Sequence, residues 1–176
     1  MNKTLLSTAL VAVIAAAFVP TAQAASGGII NINGKVIADT CAISVNGSAS
    51  STVTLPTAFT GALSAAGMTT GDTNFDIKLT GCDTNVTGAQ MAFGGSNVDT
   101  GNGNLNTTGA GQAANVQVRL LSGGSVINTN DQTNAPTIAV ASGTGTTTLT
   151  AQYYANGAAA GAGLVNTSVN FTLTYL

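Results

Sequence analysis

From Cys41 to its end the chain is a succession of short runs in which apolar and polar residues alternate, each closed by glycine, asparagine, serine or threonine. Phe75, Ile77 and Leu79 point one way while Asp76, Lys78 and Thr80 point the other. A period of two places successive side chains on opposite faces of a strand, so each run predicts a strand with one buried and one wet face. The same reading applies to Cys41, Ile43 and Val45, and to Val53 and Leu55, a run closed by Pro56. It applies again to Val116, Val118 and Leu120 against Gln117 and Arg119, to Ile138 with Val140, and to Leu149 with Ala151 and Tyr153. Met91 and Phe93 mark a weaker strand, and Val169, Phe171, Leu173 and Tyr175 alternate with Asn170, Thr172 and Thr174 in the last one. Residues 58–66 predict at most a turn or two of helix, and residues 94–111 read as a mobile loop. The fold class expected is therefore all-β. Several short strands separated by turn signals predict a sandwich of immunoglobulin-like type rather than an open sheet.

The first residues set the compartment. Lys3 precedes an apolar run from Leu5 to Val19, and Ala22-Gln23-Ala24 offers a small-residue cleavage site. This is the pattern of a secretory signal peptide over residues 1–24, and its apolar run is shorter than the roughly 20 residues of a membrane-spanning helix. The exported chain is expected to begin at Ala25 and to form one domain.

Composition removes several function classes. Only 6% of residues are charged, and histidine, tryptophan and glutamate are absent. With Lys35, Lys78 and Arg119 as the basic residues beyond the signal peptide, the cationic surface that nucleic acid requires is missing. An enzyme is not expected, because no histidine serves as a base and no serine sits in a nucleophile-elbow sequence. No cofactor is expected, and a metal site would lack imidazole ligands altogether. In an exported chain the pair Cys41 and Cys82 predicts one disulfide. In the chain-entropy description, closing a loop of that length contributes about 4 kcal/mol.

The two ends of the exported chain raise a question of edges. The stretch GGIININGKV, residues 27–36, alternates like a strand apart from Ile29, yet has no local partner. The last strand is apolar on one face, and no sequence follows Leu176 to pair with its free edge. An unpaired edge recruits other strands, so the amino-terminal arm is suited to complete a sheet. The pattern alone leaves open whether it does so in another subunit or in its own domain.

Taken together, GGIININGKV, the first cysteine in DTCAIS, the second in FDIKLTGCDTNV, the runs ANVQVRLL and QYYANGAAAGAG, and the ending FTLTYL resemble the pilins of the chaperone-usher pathway. The chain is similar to the major subunit of type 1 fimbriae over essentially its whole length. The resemblance implies an incomplete immunoglobulin-like β-sandwich that lacks its seventh strand and is completed by a donor strand from a neighbouring subunit. It implies a signal peptide over 1–24, a donor-strand extension over 25–35 and a pilin domain over 36–176. The donor strand would turn Gly28, Ile30, Ile32 and Gly34 inward, and the acceptor groove would be floored by Val169, Phe171, Leu173 and Tyr175. Implied partners are other copies of the chain and related pilins, a periplasmic chaperone and an outer-membrane usher. The implied role is a structural subunit of an adhesive surface fimbria, with a minor adaptor subunit or an adhesive binding module of the same pathway as the alternative. Ile29 on the outward face and Leu176 at the last position depart from the family pattern.

Overall fold

A computed structural model describes residues 30–34, 41–48 and 52–176. The expected signal peptide and Gly28 lie outside the described residues. All strands belong to the unit Val36–Leu176, while residues 30–34 fall in the unit that precedes it.

Among the described residues nine strands alternate with turns: β1 (Ala42–Val45), β2 (Thr69–Thr80), β3 (Gly88–Gly94), β4 (Leu105–Asn106), β5 (Val116–Ser122), β6 (Ser125–Val126), β7 (Thr137–Ala139), β8 (Gly145–Ala155) and β9 (Asn170–Tyr175). The helical turn expected near residues 58–66 is a short 3-10 helix, Thr60–Leu63. The strands form two antiparallel sheets. One runs β1-β2-β8-β5-β4 with β6 beside β5, and the other runs β7-β3-β9. The longest pairing joins β2 to β8, with Phe75 opposite Leu149 and Leu79 opposite Gly145. Gly145 is required at that corner, since a Cβ there would meet the Ala139 carbonyl oxygen at 2.6 Å.

The period-2 alternation decides which residues enter the space between the sheets. Ile77, Leu79, Leu120 and Leu149 from the first sheet meet Ala89, Met91, Phe93 and Ile138 from the second, and all are buried. Cys41 and Cys82 are joined in a disulfide between residues 41 positions apart. Because Ala42 pairs with Thr80, the bridge staples the β1–β2 ladder at the end where β2 leaves it.

Two readings of the sequence are modified by packing. Residues 52–59 form no strand, although Val53 and Leu55 pack against the core as expected of an alternating run. Proline at position 56 has no N–H to offer a ladder. Residues 94–111, which read as a mobile loop, are instead tied down by amides gathered around Gln117. The Gln117 side chain is buried rather than solvent-facing. Its Oε1 accepts from the Nδ2 of Asn102 at 3.0 Å and of Asn104 at 3.1 Å. Its Nε2 donates to Asp99 Oδ2 at 2.6 Å and to Asn106 Oδ1 at 2.8 Å. Burial of this amide is tolerable because every hydrogen-bonding position of the side chain is filled. Beside it, the Arg119 Nε donates to Asn104 Oδ1, and its guanidinium lies 3.8 Å from the centre of the Tyr154 ring.

Candidate functional site

β9 is an edge strand. It pairs with β3 from Ala89 opposite Tyr175 to Gly94 opposite Asn170, and no strand of the described residues pairs with its other side. In an antiparallel ladder every second residue turns its N–H and C=O away from the partner, so half of the β9 backbone groups face an open edge. The side chains show the same incompleteness. Val169, Phe171, Leu173 and Tyr175 all pack against the core, yet none is fully buried.

Between that edge and residues 52–55 runs a groove of about 570 Å³. Val53 and Leu55 form one wall, and Val165, Val169 and Phe171 form the other. The floor consists of core side chains from the larger sheet, among them Phe75, Ile77, Val118 and Leu120. A domain whose core opens to solvent along a groove bordered by a bare strand edge lacks an element of its sandwich. The missing element must supply both backbone hydrogen bonds and apolar side chains, which is what an alternating strand does. A second cavity of about 360 Å³ lies at the end near the 3-10 helix, lined by Phe59, Leu63, Ala113 and Leu164, and shares Leu55, Tyr153 and Val165 with the groove.

Of the four floor residues expected from the sequence, Val169 and Phe171 line the groove, while Leu173 and Tyr175 continue the same face beyond it. Val53, Leu55, Phe75 and Val165 also line the groove and were not among those expected. The run Val53–Leu55 carried the signal for the opposite wall, but alternation does not say which strand a run will face. On the arm, Ile30 and Ile32 are 85% and 89% exposed. Gly34 has no atom within 4 Å of the place a Cβ would occupy. Residues 30–34 bring two large apolar side chains into water, an arrangement that invites burial.

Tyr153 and Tyr154 separate as neighbours on a strand do. Tyr154 lies under Arg119 on the outer side, and Tyr153 lines the groove. The Tyr153 hydroxyl donates to the Pro56 carbonyl at 3.1 Å, and burial raises its pKa above the ordinary tyrosine value. Among the described residues no group of three or more His, Cys, Asp or Glu side chains is placed to hold a metal ion.

Known proteins share this architecture and much of this sequence. Residues 30–176 match the family model described as fimbrial protein. The chain is 34% identical over 180 residues to the type-1 fimbrial protein A chain of Salmonella typhi, covering 99% of this chain and 97% of that one. It is 39% identical over 166 residues to a major fimbrial subunit of Stenotrophomonas maltophilia, covering 89% and 96%. In structure it resembles a subunit of a chaperone-usher pilus solved for the basis of rod uncoiling, with a TM-score of 0.64, 22% identity, and coverage of 86% and 97%. The P pilus rod subunit gives a TM-score of 0.63 at 23% identity, over 77% of this chain and 99% of that chain. These likenesses show the incomplete immunoglobulin-like fold that the groove describes from within. The chain belongs to the fimbrial protein family: it is a non-enzymatic subunit of chaperone-usher pili, located in the surface fimbria.

Proposed function

We propose that this chain is the repeating structural subunit of its fimbria and that it polymerises by donor-strand exchange. In this reading residues 25–35 are the donor arm and residues 36–176 the pilin domain. A periplasmic chaperone occupies the groove first, an outer-membrane usher presents the subunit, and the arm of the next copy replaces the chaperone strand. Gly28, Ile30, Ile32 and Gly34 face into the groove, against Val169, Phe171, Leu173 and Tyr175. The observation that carries the reading is the apolar groove along the unpaired edge of β9, together with an arm whose isoleucines are exposed. The segments 28–34 and 169–175 are equal in length, so an extended arm spans the strand it would pair with. Each backbone hydrogen bond formed contributes about 0.5–1.5 kcal/mol, and each isoleucine buried about 1.5–3 kcal/mol. The rod assignment is further supported by the Stenotrophomonas maltophilia relative, which is named a major subunit.

The experiment compares two variants in the cell. Ile30→Asp with Ile32→Asp should give a soluble subunit that co-purifies with its chaperone but builds no fibre, because each buried unpaired carboxylate costs several kcal/mol. Phe171→Asp should prevent chaperone capture as well, and the subunit should be degraded. Normal fibres from the double arm variant would sink the donor-strand reading. Deletion of the chain should remove the rods seen by electron microscopy. Rods that persist with altered tips would make it an adaptor instead.

A further inference from the structure

The groove has two walls, and they are held very differently. The β9 wall is hydrogen-bonded along its length to β3. The opposite wall, residues 52–58, joins no ladder. Among the described residues a single hydrogen bond ties it to the rest of the domain, the one from the Tyr153 hydroxyl to the Pro56 carbonyl.

The seat beneath Tyr153 is specially shaped. The β2–β8 register runs regularly on either side of an irregularity between Thr70 and Thr73, so that Thr70 faces Tyr153 and Thr73 faces Ala151. A bulge of this kind bends the strand locally and redirects a side chain. Within it lies Gly71, whose φ of +76° is a conformation that glycine adopts at no steric cost. A Cβ at Gly71 would stand 2.8 Å from Tyr153 Cδ2 and 2.9 Å from Cε2, and 3.7 Å from Pro56 Cγ. The ring therefore rests on the face of a glycine backbone, with its hydroxyl delivered to the groove wall. The Thr73 hydroxyl donates to the Gly71 carbonyl at 3.1 Å, which fixes the bulge from the other side.

We propose that the Gly71 bulge and Tyr153 form a clasp that positions residues 52–58 as the second wall of the groove, and that this clasp governs how long an inserted strand is retained. The proposal rests on the donor-strand reading above and names a positioning element for that same site. Neither Gly71 nor the tyrosine hydroxyl needs to touch the incoming strand. Their effect passes through the wall, since releasing Pro56 frees Val53 and Leu55 to swing away from the groove they line. An inserted strand would then keep its β9 partner and lose its apolar neighbour on the other side.

The test uses assembled fibres of the wild type, Tyr153→Phe and Gly71→Ala. Tyr153→Phe deletes the hydroxyl and keeps the ring, so the domain folds and the wall loses its tie. Subunit release from fibres at raised temperature should accelerate on the order of fivefold, the equivalent of one neutral hydrogen bond. Amide protection in β5, which reports opening of the whole domain, should not change. Gly71→Ala should accelerate release further while leaving the hydroxyl in place, which separates positioning from hydrogen bonding as such. Unchanged release in Tyr153→Phe, or β5 protection that falls in proportion to release, would overturn the clasp. Failure of the donor-strand reading is seen separately, as normal fibres from the Ile30→Asp, Ile32→Asp variant.

Discussion

β8 and β9 carry the same kind of sequence and meet different fates. Both alternate apolar with polar residues, LTAQY in one and FTLTY in the other. β8 has a strand on each side, β2 and β5, and its Leu149 and Ala151 are buried. Among the described residues β9 has β3 on one side only, and its Phe171, Leu173 and Tyr175 stay half-exposed. The difference lies in the missing neighbour and not in the strand. Alternation specifies which face of a strand turns inward, whereas burial of that face depends on what lies beside it. A subunit built this way leaves part of its own core open along a groove.

Three substitutions probe that contrast, from the largest effect to the smallest. Leu149→Ala should cost about 2–5 kcal/mol by denaturant unfolding, whether or not the groove is filled, because its site is closed by strands on both sides. Equal sensitivity of Leu149 and Leu173 would break the comparison. Gln117→Leu tests the outer side of the larger sheet. It leaves the Asn102 and Asn104 amides without their acceptor, and the loss should be about 1–3 kcal/mol in subunit and fibre alike. Leu173→Ala should cost about 1 kcal/mol in the subunit with an open groove and about 2 kcal/mol in the fibre, where the proposed donor strand would complete its burial. That dependence on assembly is the signature of an edge strand awaiting a partner.

Much of this was legible in the chain because a period of two is a local signal. The runs at Phe75–Leu79 and Val116–Leu120 became strands, as did the last run from Asn170 to Tyr175, and the two cysteines came together. What escaped was set by long-range packing. Gln117 reads as a wet-face residue until the loop carrying Asn102, Asn104 and Asn106 folds over it. The Val53–Leu55 run signals a strand, but Pro56 and the lack of a neighbour leave it as a bare wall. Gly71 is one glycine among 22, and only the register shift beneath Tyr153 distinguishes it. The groove along β9 was expected through the family resemblance, whereas the part that Val53 and Leu55 play in its lining was not.

The most direct test of the account is amide hydrogen exchange, read by mass spectrometry on intact fibres and on the dissociated subunit. The amides of Ile30 to Asn33 should exchange rapidly in the free subunit and be strongly protected in the fibre. The β9 amides that face away from β3 should gain protection with them, while β5 and β8 are protected in both states. If Ile30 to Asn33 exchange as fast in the fibre as in the free subunit, the arm does not occupy the groove and the central claim is wrong.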